Sequence, residues 1–225
     1  MTQQFRVFLM AMAALAIRTG PAHADYLALT VPGAINTWAA GVDGQNVVGN
    51  YTDGNGQHGF IHNGSSYTPF DVPGANSTML QGISGSSLVG SYQDHSGLHS
   101  FIYDGSTFTA VNVPGATSTQ VTAVDGSTVV GYFRDHAGGH GFIKNGSTFT
   151  TLALPGAATV FPLGVSGKNV VGTYIEPTGV EHGFLYDGAT VTLIAAPGAQ
   201  TFPAGISGHT IVGTYYQPSS FHGRR

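Results

Sequence analysis

From Asp25 onward the apolar residues come in short runs, without the spacing of three and four that marks one face of a helix, and each run stops at a small polar turn. One stretch shows the plan. "TMLQGI" (Thr78 to Ile83) is followed by Ser84-Gly85, and "SLVGSYQ" (Ser87 to Gln93) by "DHSG". "HSFIY" (His99 to Tyr103) is followed by Asp104-Gly105, and "TFTAVNV" (Thr107 to Val113) closes the series. Asp-Gly and Ser-Gly between β-branched and aromatic runs are strong hairpin signals, because the glycine accepts the positive φ that tight turns require. The pattern predicts four antiparallel strands joined as a meander, here called A to D.

The same unit returns at a fixed period. A Pro-Gly-Ala triplet has its proline at 32, 73, 114, 155 and 197, giving steps of 41, 41, 41 and 42. A constant period of this size indicates a repeat architecture. The units span about 32–72, 73–113, 114–154, 155–196 and 197–225, the last joined by 26–31. Pro162 and Pro203 fall in strand A, and proline cannot donate to a ladder on both sides, so A is expected at a sheet edge. The triplet then carries the chain from D of one sheet to A of the next. A β-trefoil closes with three units and a β-solenoid has no use for three hairpins per unit. The fold class expected is all-β: a five-bladed β-propeller of four-stranded antiparallel blades, within the size range of such rings. Tyr26 to Val31, "YLALTV", resembles the end of a unit and is expected to close the ring as the outer strand of blade five. Glycine recurs inside strand B at Gly49, Gly90, Gly131, Gly172 and Gly213, which predicts another backbone or ring lying close by.

Composition sharpens this picture. Charged residues are 8% of the 225 and apolar residues 41%, with 34 glycines. So much apolar content predicts a folded chain, and so few charges predict sheets covered on both faces. No cysteine is present, which removes disulfides and thiolate metal sites. A net charge of −4 argues against a nucleic-acid partner, which needs a basic face. The first 24 residues differ: Arg6 precedes an apolar run from Val7 to Ile17, and Ala22 and Ala24 form an A-x-A site before Asp25. This is the layout of a secretory signal peptide, and its apolar run is too short to span a bilayer. The mature chain, 25–225, is expected to be secreted, extracellular or periplasmic, and monomeric, with no membrane span.

Each of the first four units places a carboxylate, a glycine-containing turn and then His-small-Phe: His58-Gly59-Phe60, His99-Ser100-Phe101, His140-Gly141-Phe142 and His182-Gly183-Phe184. With "GVDG", "VVG" and "VPGA" in fixed phase, the chain from Tyr26 to Gly223 resembles the bacterial extracellular HAF-repeat family. Gly or Ser stands here where that family has Ala. The resemblance implies export and a propeller-like array. It supplies no catalytic residues.

The recurring acid–histidine pairs, Asp53/His58, Asp94/His99, Asp135/His140 and Glu176/His182, are the candidate metal ligands. The competing reading takes precedence: the acid caps its own hairpin turn and the histidine bonds across it. Unit five has Gln217 and His222 in these places, a change that a turn tolerates better than a metal does. Catalysis finds no motif. Asp43, Asp104, Asp125 and Asp187 sit before glycine in turns, and no pair of unlike carboxylates stands out as a glycosidase would require. Neither a catalytic residue nor a cofactor is expected. Trp38, Tyr67, Tyr103, Tyr132, Tyr186 and Tyr216 are the candidate ligand-binding residues, since aromatic rings stack on sugars; packing between blades competes for them. The expected role is a non-catalytic binding or scaffold module whose partner is a carbohydrate or another envelope protein. The alternative is a lectin-like carbohydrate binder, and a glycan-active enzyme comes third.

Overall fold

The computed structural model describes residues 15–19, 24–196 and 199–216. All regular structure in them is β. Strand β1 (Leu15–Thr19) pairs antiparallel with β2 (Ala24–Ala28). Unit one then holds β3 (Asn36–Asp43), β4 (Asn46–Thr52), β5 (Gln57–His62) and β6 (Tyr67–Phe70). Unit two holds β7 (Ser77–Ser84), β8 (Ser87–Asp94), β9 (Gly97–Tyr103) and β10 (Phe108–Ala110). Unit three holds β11 (Ser118–Asp125), β12 (Thr128–Arg134), β13 (Gly139–Asn145) and β14 (Thr148–Leu152). Unit four holds β15 (Thr159–Ser166), β16 (Asn169–Ile175), β17 (Glu181–Tyr186) and β18 (Val191–Ile194). Unit five shows β19 (Gln200–Ser207) and β20 (Thr210–Tyr216), its A and B strands. Units one to four are four-stranded meanders in the order A-B-C-D, so A stands at an edge as its prolines require. A single parallel bridge, Gly139 to Thr159, joins the sheets of units three and four.

Strand A carries a bulge at one fixed place in every unit, as at Leu80/Gly82 and Pro162/Gly164. There the A strands of consecutive units converge. A Cβ built on Gly164 would lie 3.0 Å from the Cα of Gly205, and one on Gly41 would lie 3.2 Å from the Cα of Gly82. Convergent inner strands and meanders turned face to face make a β-propeller arrangement. The strand B glycine sits opposite the bulge. At Gly131 a Cβ would strike the carbonyl oxygen of Gln120 and the ring of Phe142, the close approach that its position in the strand predicts.

The core lies between sheets. One apolar cluster holds Val48 of unit one with Leu80, Leu88 and Phe101 of unit two. Another holds Val89 and Val111 with Val121, Val124 and Phe142, and a third holds Val130 and Leu152 with Val160, Val165 and Phe184. The four Phe of the His-small-Phe triplets are buried, as are Val48, Val89, Val130 and Val171. The Pro-Gly-Ala triplet makes the tight turn between units: Ala75 donates to the Val72 carbonyl at 3.0 Å, with Gly74 at φ 82°, the left-handed second corner of a type II turn. Val72 and Val113 then donate to the hydroxyls of Thr78 and Thr119 at the head of the next strand A, each at 3.0 Å.

Among the described residues 24–28 form a strand that pairs with β1, and the strand C of unit five that Tyr26 to Val31 were expected to join lies outside them. Val31 is buried beside Tyr51 and Phe60 and its amide donates to the Thr37 hydroxyl at 3.2 Å, as those of Val72 and Val113 do to threonine at the following junctions. Of the expected signal peptide, residues 1–14 and 20–23 lie outside the described residues, and so do Gln217 and His222.

Gly131→Ala is expected to destabilise the chain by about 3 kcal/mol, the upper range for a methyl forced into packed surroundings. Urea unfolding against the unmutated chain measures it.

Candidate binding site

The acid–histidine pairs are built by one hairpin, repeated. Strands B and C place an aromatic residue directly opposite the histidine: Tyr51 with His58, Tyr92 with His99, Phe133 with His140, Tyr174 with His182. Their ring centroids lie 5.0–5.1 Å apart, as cross-strand neighbours on one face must. The carboxylate closes the turn between the strands. Asp94 Oδ1 accepts from the backbone N–H of Ser96 at 2.7 Å and of Gly97 at 3.2 Å, and from the Ser96 hydroxyl at 2.7 Å. Asp53 and Asp135 repeat the backbone bonds. His99 and His140 bring Nε2 to 3.1 Å from the same oxygen, and His182 brings it to 3.1 Å from Glu176 Oε1. His58 is held twice, by Asp53 at 3.4 Å and by Asp71 at 3.1 Å on its other nitrogen. The turn reading fits Asp94/His99 and Asp135/His140 in full, whereas Nε2 of His58 and of His182 makes no hydrogen bond and the Glu176 carboxylate accepts from the Thr178 hydroxyl and caps no backbone amide among the described residues. No group of three or more metal-ligating side chains is gathered among the described residues.

These hydrogen bonds hold the carboxylates in the ionised form. The Ser96 hydroxyl and amide beside Asp94 lower its pKa to about 2, and the amides of Thr190 and Ala189 do the same for Asp187. Asp53, Asp135 and Asp104 are lowered too, chiefly by the Asn55 amide, the Ala137 amide and the Ser106 hydroxyl respectively. Burial raises the phenols of Tyr51 and Tyr174.

The six candidate aromatics are not brought together. Tyr103 and Tyr186 hold equivalent places in units two and four, and the other four stand at four further positions of the repeat. Tyr67 packs on Phe60 and His62 and accepts from the Thr30 amide; Tyr103 packs on Phe70 and Phe108. Tyr132 stands edge-on to Phe161 and donates to Gln120. Packing is therefore the structural role of these three. Trp38 on β3 and Tyr216 at the end of β20 keep 37% and 60% exposure. Tyr186 lines a groove of about 650 Å³ between units three and four, together with Tyr174, Leu154, Pro155, Val191 and Leu193.

A second repeated device is absent from the reading of the sequence alone. In units one to four the last residue of strand A reaches across to the next unit's A–B turn. Asp43 accepts from the Gly85 amide at 2.5 Å and Asp125 from Gly167 at 2.6 Å. Ser84 accepts from Gly126 at 2.9 Å and Ser166 from Gly208 at 3.0 Å. The signal available was the small oxygen-bearing residue before each turn glycine, Asp or Ser without exception, which a turn alone also explains. Asn50 adds a further link, pairing its side-chain amide with both backbone groups of Leu80 in the next unit.

No family model and no curated protein matches the chain. Among solved structures, the nidogen/laminin complex is similar over 90% of this chain and 83% of that one, at 12% identity and a TM-score of 0.54, which shows likeness of fold. An Aleuria aurantia lectin in complex with Fucalpha1-6GlcNAc aligns over 90% of this chain and 79% of its own, at 14% identity and a TM-score of 0.46.

The carboxylate shifts carry a pH consequence. Asp94 has a lower pKa folded, about 2, than its ordinary 3.8. Its stabilising contribution is therefore present above about pH 4 and is lost as pH falls towards 2. Asp94→Asn should flatten the fall in melting temperature between pH 5 and pH 2, measured by circular dichroism. An unchanged slope would show that Asp94 carries none of the acid sensitivity.

Proposed function

We propose that this chain is an exported, non-catalytic binding module: a five-bladed propeller of the HAF-repeat kind, acting at the cell envelope or outside the cell. One observation carries the reading. The polar residues that recur in every unit are spent on turns and junctions, whereas the residues that vary stand at fixed places on that constant frame. The position of Tyr186 is His62, Tyr103 and Lys144 in the earlier units, and that of Trp38 is Met79, Gln120, Phe161 and Phe202. A rigid scaffold that changes side chains at set points suits recognition. Carbohydrate is the second reading, favoured by the exposed rings of Trp38 and Tyr216. The chain from Asp25, purified and applied to a glycan array, tests both. Selective binding that Trp38→Ala abolishes supports the carbohydrate reading; a blank array with retained capture by isolated envelopes supports a protein partner. Cleavage of any arrayed glycan overturns the non-catalytic assignment.

Ring closure belongs to the same proposal. Val42 and Val212 are 67% and 60% exposed, while Val124 and Val165, equivalent to Val42, and Val48, Val89, Val130 and Val171, equivalent to Val212, are all buried. Among the described residues these two valines read as the halves of one further junction, with Ser207 placed as the acceptor for the turn at Gly44. Bringing these faces together, with Tyr26 to Val31 at the outer edge, completes blade five. Closure predicts that Val212→Asp lowers the melting temperature of the chain by several degrees, the scale of about 2 kcal/mol. An unchanged melting temperature would leave the array open at this face.

A further inference from the structure

Asparagine followed by glycine is a reactive pair as well as a turn signal, because a residue without a Cβ lets its amide nitrogen approach the asparagine side chain. The chain carries Asn-Gly three times, at 55–56, 63–64 and 145–146. Each stands in a turn, and the three surroundings differ.

At Asn63 both reacting groups are held. The Asn63 amide donates to the Ser66 carbonyl at 3.2 Å, which closes the C–D turn, and Gly64 has φ 92°. Asn63 Oδ1 accepts from the amides of Ser65 and Ser66 at 3.1 and 3.0 Å, and from their hydroxyls at 2.9 and 3.2 Å. On the other side the Gly64 N–H donates to His62 Nδ1 at 3.2 Å, so that nitrogen carries a free lone pair and no proton. His62 is 6% exposed, its ring packed on Tyr67 at 4.5 Å. The other two pairs lack this arrangement. Gly56 gives its amide to Asp53, a carboxylate kept weakly basic by the Asn55 amide, and among the described residues no hydrogen bond reaches Asn55 Oδ1. Asn145 Oδ1 accepts from the Thr128 hydroxyl at 2.8 Å, and among the described residues no side chain accepts from the Gly146 amide.

Units two and four hold an acid at the same place. Asp104 Oδ1 accepts from the amides of Ser106 and Thr107, both at 2.8 Å, and Asp187 Oδ1 from those of Ala189 and Thr190 at 2.9 and 2.7 Å. An aspartate therefore fits this turn without rebuilding it.

We propose that Asn63 is a self-modification site, converted to aspartate through a cyclic imide with Gly64. His62 Nδ1 takes the Gly64 amide proton, the Asn63 backbone turns, and the freed nitrogen bonds to Asn63 Cγ. The charge that develops on Oδ1 meets four donors already in place, an arrangement of the oxyanion-hole type. The Cγ–Nδ2 bond breaks, and the proton held by His62 leaves with Nδ2 as ammonia. Water then adds at Cγ and breaks the new N–Cγ bond, which returns a proton to the Gly64 nitrogen and leaves the carboxylic acid. Opening at the main-chain carbonyl would leave isoaspartate, whose longer backbone does not match the turns at Asp104 and Asp187. The loss of ammonia makes the change one-way, and it adds a negative charge to the C–D turn of unit one. It is independent of what the chain binds.

The test is incubation of the full chain at neutral pH, folded and in urea, with peptide mass mapping of the three Asn-Gly sites over time. In the folded chain Asn63 should exchange amide for acid at least about tenfold faster than Asn55 or Asn145, the low end of what a placed base supplies, and in urea the three rates should converge. His62→Tyr sets at this position the residue that unit two has at Tyr103, and it should slow Asn63 by at least about tenfold in the folded chain only. Ser65→Ala, at an exposed position, removes one donor to Oδ1 and should slow Asn63 severalfold, which keeps the test open where His62→Tyr fails to fold. Equal rates at the three folded sites, or a folded His62→Tyr chain that reacts as the unmutated one does, overturn the proposal. Isoaspartate as the main folded product, identified by fragmentation, overturns the aspartate assignment.

Discussion

Burial between neighbouring sheets is the constraint on which the rest of this molecule depends. A single meander of four short strands has two apolar faces and no means of covering either. Val48 and Leu80, Val89 and Val121, Val130 and Val160 lie in clusters shared by two units, so that each sheet is completed only by its neighbour. The scarcity of charge follows directly, since an ionised side chain at a junction would have to leave water without a partner.

Close approach sets the remaining rules. Inner strands that converge leave no room for side chains where they meet, which is why glycine or alanine stands at 41, 82, 123, 164 and 205. The bulge beside it turns strand A, and the strand B glycine opposite accepts the displaced carbonyl. Proline at 162 and 203 is compatible because strand A has only one ladder partner. These features are one geometric solution seen from several residues.

The polar residues have two tasks. In the B–C turns of units one to three the carboxylate holds backbone amides and faces a histidine, and that histidine packs on an aromatic of strand B, which braces the turn. At the A–B turns, an oxygen of one unit caps the amide of the next, which ties neighbouring turns in sequence along the array. A frame held this way keeps its shape while individual surface positions change. Unit four illustrates the point: it loses a ring at Val191, yet Phe184 and Val171 remain fully buried.

The sequence by itself determined the period, the hairpins, the edge placement of strand A and the crowding at the strand B glycines. Each of these is local: a turn residue, a missing N–H or a missing Cβ acts within a few residues of its own position. It also carried the acid–histidine turns, because donor and acceptor are five or six residues apart. Only the tertiary structure decided what happens between units. Asp43 meets Gly85 and Thr122 meets Pro162 across some forty residues, contacts that depend on how two sheets are laid together. The same holds for the groove, since 151–155 and 174–193 become one surface only after units three and four pack. The pairing of the N-terminal strand was likewise not legible: "YLALTV" resembles the end of a unit, and its first residues could join any open strand edge, while Val31 packs on the unit that follows it, as Val72 and Val113 do. Strand identity is written in the side chains; strand partnership depends on which edges and faces are left uncovered.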